Sequence, residues 1–142
     1  MLDVVLLAML SASQASPATQ PAMKGQACTA RELIGTWQLA TKPLTPGVTS
    51  ALKHITPTQF FVARLGDKGV IQSAHGGPYA LAGGTYTETI ALGFGGQFEK
   101  YRGISVSFQC RIDTDVLHLA GEYQGQTINE QWKREGGASA QR

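Results

Sequence analysis

The chain is short of charge. Asp, Glu, Lys and Arg make up 15% of its 142 residues and balance to a formal +2. Its 12 cations are spread along the sequence instead of forming a stripe that could track a phosphate backbone, which excludes nucleic acid as a partner. Long hydrophobic runs are missing as well: Val4 to Leu10 is too short to span a bilayer as a helix. Cysteine and histidine are scarce, with 2 and 3 copies, and neither Cys-x-x-Cys nor a Cys/His ligand spacing occurs. That excludes a zinc site, and nothing predicts a cofactor. No Gly-x-Ser-x-Gly presents a nucleophile. Gly93 to Gly96 lacks the Lys and following hydroxyl residue of a phosphate loop.

Glycine, by contrast, is plentiful at 17 residues, and with so little charge it suits turns and strands better than helices. Length and uniform composition predict one domain, able to bury a core without metals. The expected division is a signal peptide and flexible leader over 1–27, a β-barrel domain over 28–135 and a disordered tail over 136–142. Val4 to Leu10 is the apolar segment of that signal, with Ser13-Gln14-Ala15 as cleavage site, although Asp3 stands where a cation is usual. Export would place the domain in the periplasm or outside the cell. Cys28 precedes the first structured segment and Cys110 lies in a late strand. A bond between them would tie the leader to the sheet; the alternative is two unrelated thiols.

Thr29 to Ile34 reads as a short helical turn, with Thr29 and Glu32 at capping-box spacing. Gly35-Thr36-Trp37 then enters a strand with Trp37 and Leu39 on one face. Lys42 to Leu52 carries Pro43, Pro46 and Gly47 and reads as a loop, a candidate lid or portal. A meander follows: His54 to Leu65, Val70 to Leu81 with a bend at Gly76-Gly77, and Gly84 to Ile90, joined at Gly66–Gly69 and Ala82-Gly83. Leu92 to Gly103 is glycine-rich and reads as a mobile loop presenting Phe94, Phe98 and Tyr101. Three more strands, Ile104 to Ile112, Val116 to Tyr123 and Gln126 to Arg134, are joined by tight turns. Seven or eight antiparallel strands with nearest-neighbour connections predict an all-β, up-and-down barrel of about eight strands, because closure removes exposed edges. A β-sandwich is the alternative.

Side chains alternate across a strand, so each run reveals its inner face. Val106, Phe108, Cys110 and Ile112 share one; Leu117, Leu119 and Tyr123 share another, which turns His118 outward. His75, at the bend, is free to face either way. Two carboxylates fall on inward faces: Glu88 between Tyr86 and Ile90, and Glu130 between Ile128 and Trp132. A carboxylate there must be paired, hydrogen-bonded, protonated or wet. One reading is a cavity for a small, partly apolar molecule, lined by His54, Phe60, Tyr79, Tyr86, Glu88, Phe108, Glu130 and Trp132. Another is an internal polar network, Glu130 with Arg134 and Glu88 with a tyrosine hydroxyl. An acid–base enzyme of isomerase or hydrolase type would use Glu88 with His54 or Glu130. A cell-envelope interaction module would use the Phe94, Phe98 and Tyr101 loop. The oligomeric state is open.

Taken together, Gly35-Thr36-Trp37, His54 to Phe60, Gly83 to Ile90 and Glu130 to Arg134 resemble a bacterial family of small exported lipocalin-like, calycin-type proteins described as a domain of unknown function. The resemblance spans 32–135. It implies a small antiparallel lipocalin-like barrel and brings no established substrate. It also implies that the indole of Trp37, at the closed end, is covered by Arg134 from the last strand, a structural contact worth about 0.5–2 kcal/mol.

Overall fold

The structure, a computed structural model, describes residues 22–41 and 44–136. The expected signal segment and the part of the expected leader before residue 22, Lys42, Pro43 and the residues beyond 136 lie outside the described residues. In chain order the elements are β1 (Gln26–Ala27), α1 (Ala30–Leu33), β2 (Gly35–Leu39), β3 (Ser50–Ile55) and β4 (Gln59–Leu65). A 3-10 turn (Asp67–Gly69) leads to β5 (Ile71–Ala82), β6 (Thr85–Thr89), β7 (Leu92–Phe94) and α2 (Phe98–Tyr101). The last three strands are β8 (Ser105–Asp113), β9 (Val116–Tyr123) and β10 (Gln126–Arg134). Among the described residues, no helix is long and apolar enough to cross a membrane.

Each of β2, β3, β4, β5, β6, β8, β9 and β10 pairs antiparallel with the next, and β10 returns to β2. The result is the expected closed, up-and-down barrel of eight strands, whose interior is about wide enough to be filled by side chains. β1 extends the ladder along β8, and β7 pairs with β5 where β6 has ended. One rim carries α1 and the short turns β3–β4, β5–β6 and β8–β9. The other carries the longer connections, 40–49, 66–70 and 90–104, with the Gln124-Gly125 turn. The first is the closed end and the second the mouth.

At four places the chain departs from the sequence reading. The run His54 to Leu65 is two strands, broken at Pro57, whose nitrogen has no proton for a ladder. There Thr56 Oγ1 accepts from the Gln59 amide at 3.0 Å and the Thr56 amide donates to the Gln59 carbonyl at 2.9 Å. The loop after β2 stops at Thr49, so Ser50, Ala51 and Leu52 belong to β3. The segment 92–103 is a short strand and a helical turn, in which Phe98 is buried while Phe94 is 52% exposed. β5 runs unbroken for 12 residues; Gly76-Gly77 marks a change of neighbour, from β7 to β6.

Inward residues form one core, with Trp37, Phe60, Tyr86, Leu117 and Leu119 at 1% exposure or less. Burying each such aliphatic or aromatic side chain stabilises the fold by roughly 1.5–3 kcal/mol. α1 seals the closed end. Thr29 and Glu32 form the capping box, Leu33 is fully buried, and Trp37 Nε1 donates to the Leu33 carbonyl at 2.9 Å. The Arg134 guanidinium lies 4.0 Å from the Trp37 ring centroid and donates to the carbonyls of Glu32 and Ile34 at 2.7 and 3.2 Å. Thus Arg134 covers Trp37 and also satisfies two carbonyls at the C-terminal end of α1, that of Glu32 and that of the capping residue Ile34. A Cys28–Cys110 disulfide fixes the strap before α1 onto β8.

Candidate functional site

The middle of the barrel is organised by Lys53. Its neighbours on β3, Ala51 and Ile55, point inward with it, and Lys53 is 1% exposed. Its Nζ lies 2.7 Å from Glu88 Oε1 and 3.8 Å from Glu130 Oε2. Rings enclose the ammonium: Trp132, Tyr86 and Phe108 have centroids 4.8, 5.8 and 6.0 Å away. Trp132 Nε1 donates to Glu130 Oε2 at 2.8 Å. Both inward carboxylates are therefore met by one buried cation and its cage. For Glu130 the partner differs from the one expected, since Arg134 is engaged at the closed end.

Seven of the eight expected ligand residues, Phe60, Tyr79, Tyr86, Glu88, Phe108, Glu130 and Trp132, do come together inside. His54 does not. With Lys53 and Ile55 pointing in, strand alternation turns His54 outward, where its Nδ1 sits 3.0 Å from Thr36 Oγ1. The Glu88–His54 pairing is thus not formed, because the barrel wall separates the two. Tyr79 donates to the Thr56 carbonyl at 2.8 Å near the closed end, and burial raises its pKa. Burial above all, then the nearby Glu88 charge, pushes the Tyr86 phenol well above the usual tyrosine range. Its hydroxyl finds no hydrogen-bond partner among the described residues, although Glu88 is close enough to oppose its ionisation.

Open space lies elsewhere, at the mouth. A pocket of about 500 Å³ lies between the β2–β3 loop, the ends of β4 and β5, Ile90 and the α2 segment. Its apolar walls include Val48, Ile90 and Phe98, and its polar groups include Arg64, Ser73 and His75. Pairing puts Arg64 opposite Ser73 and Val62 opposite His75, so Arg64 and His75 are diagonal neighbours on the inner face. His75 packs edge-on against Phe60, with centroids 6.0 Å apart. Burial, then the positive charges of Arg64 and Lys53, lowers its pKa to about 4, with Glu130 opposing the shift. The imidazole is neutral at pH 7, one nitrogen donating and the other accepting. A second hollow of about 490 Å³ lies outside β9 and β10, against residues 22–24, with His118, Asn129 and Gln131 in its wall. Neither pocket is lined by Glu88.

Three residues that matter were not singled out, or not placed, from the sequence. Arg64 shares a face with Phe60 and Val62, so alternation alone would have turned it inward. His75 is two pairs along the same face from Tyr79. Lys53 was obscured because the loop reading ran on to Leu52. Among the described residues, no three His, Cys, Asp or Glu side chains gather as a metal site. Comparison with family models, curated proteins and solved structures finds no match to this chain.

Proposed function

We propose that the protein is an exported, lipocalin-like binding barrel that holds a small, partly apolar molecule, and that it does so at the mouth. The observation that carries this reading is the 500 Å³ pocket, with apolar walls and a few polar groups, in a barrel whose middle is occupied by Lys53 and its rings. Pockets of roughly 300–1,000 Å³ with this mixture are typical of small-molecule sites. The Cys28–Cys110 disulfide is compatible with export. An acid–base enzyme draws less support: Glu88 is engaged by Lys53, and His54 lies on the other side of the wall.

Two measurements test the reading. Native mass spectrometry of protein purified from its own host should show a retained small molecule. The neutral dye Nile red should bind with a fluorescence rise that Ile90→Trp, which fills the mouth, removes. A protein that arrives bare and leaves Nile red unbound would overturn the proposal.

An interaction module has one specific observation in its favour. Phe61, Leu92 and Phe94, 36%, 49% and 52% exposed, share the outer face of β4 and β7. The expected three-aromatic contact is reduced, since Phe98 is buried.

A further inference from the structure

The mouth pocket carries charge of one sign. Among the described residues, Arg64 supplies the only formal charge in its wall and no Asp or Glu lines it, while His75 is neutral. Arg64 as a residue is half-buried, and its side chain makes no ion pair or hydrogen bond with another described residue. The interior carboxylates do not serve it: Glu88 binds Lys53, and Glu130 accepts from Trp132 while facing Lys53. The other arginines with inward or rim positions are treated differently. Arg134 has Asp115, two carbonyls and an indole, and Arg102 has Glu99. A guanidinium on a half-buried residue, with no partner among the described residues, is ready for an anion whose oxygens can accept two of its N–H groups.

The surroundings fit such an anion and what it would carry. Ser73 lies directly across the ladder from Arg64, and its hydroxyl can donate. The neutral imidazole of His75 can donate from one nitrogen. Val48, Ile90 and Phe98 supply the apolar remainder of the wall. We infer that the pocket takes an amphiphilic organic anion, a carboxylate or phosphate head held by Arg64 with an apolar body against Val48, Ile90 and Phe98. This rests on the reading of the mouth as a ligand site and names the ligand's chemical class.

The test uses the full mature chain and three probes of equal length: decanoate, decyl phosphate and decan-1-ol, titrated calorimetrically at pH 7 and below their aggregation limits. At least one anion should bind tenfold or more tightly than the alcohol. Arg64→Gln should remove that preference and leave alcohol binding unchanged. Ser73→Asp gives the guanidinium an internal carboxylate and should do the same while keeping Arg64. Because Arg64 helps hold the His75 pKa down, a bound anion should also raise the imidazole titration midpoint followed by NMR, and the alcohol should not. If the alcohol binds as well as both anions, or if both variants keep the anion preference, the inference is overturned while the pocket reading survives. If no probe binds, the inference is overturned, and Nile red and native mass spectrometry decide the pocket reading.

Discussion

At the residue scale the decisive side chain is Lys53. Alternation within their own strands was enough to place Glu88, Tyr86 and Trp132 inside, so the odd carboxylate was visible in the sequence. Its counterion was not, because the phase of Lys53 depends on where β3 begins, and Pro43, Pro46 and Gly47 made the preceding loop look longer than it is. A buried ion pair is held by attraction that offsets a large desolvation cost, so its two members are not equivalent to two independent contacts. Lys53→Met leaves Glu88 buried beside rings with no cation and should destabilise the fold by about 3–5 kcal/mol. Adding Glu88→Leu should recover most of that loss. Urea unfolding of the two variants checks both numbers, and a double variant as unstable as the single one would mean that Glu88 is satisfied by something other than Lys53.

At the scale of elements, the exchange of neighbours along β5 is the least obvious event. Tyr79 pairs with Glu88 on β6, yet Gly76 pairs with Leu92 on β7, so the chain between them, Thr89 to Ala91, must bulge across β5. It does so over Gly77, which has φ +156°, and a Cβ there would lie 2.1 Å from the Thr89 carbonyl oxygen and 3.0 Å from the Ala91 nitrogen. The glycine pair suggested a bend to the sequence reading, and the structure gives it a different cause, a close backbone approach. Gly77→Ala should therefore cost on the order of 2 kcal/mol or more, because backbone has to move. Gly83→Ala is the control. That residue has φ +57° with no atom within 4 Å of the added Cβ, so only the left-handed conformation counts, about 1 kcal/mol. Comparing the two by chemical denaturation separates crowding from conformation. Turns were legible for related reasons, since Gly83-Gly84 and Gln124-Gly125 sit at positive φ where L side chains are disfavoured. Short helical segments were less so: the four residues of α2 are held by the buried Phe98, and glycine density around them argued against any helix.

At the scale of the molecule, barrel closure was readable from strand count and hairpin spacing, whereas the mouth pocket was not. A pocket depends on which loops approach one another, and alternation along single strands carries no such information. The disulfide joins residues 82 apart in sequence, so breaking it releases a long loop in the unfolded chain. Chain entropy puts the effect at about 2–5 kcal/mol, and a Cys28→Ala/Cys110→Ala variant should unfold at correspondingly lower urea than the oxidised protein. An unchanged midpoint would show that the strap before α1 adds nothing to the barrel's stability. The seam between β2 and β10 acts on a different clock. Trp37 finds its strand partner at Arg134, close to the far end of the chain. That partner lies in β10, so Leu33 and Trp37 have a completed interior to enter only once β10 has joined β2. Closure of the barrel therefore waits on this non-local pairing, which sets a slower pace than contacts within a hairpin.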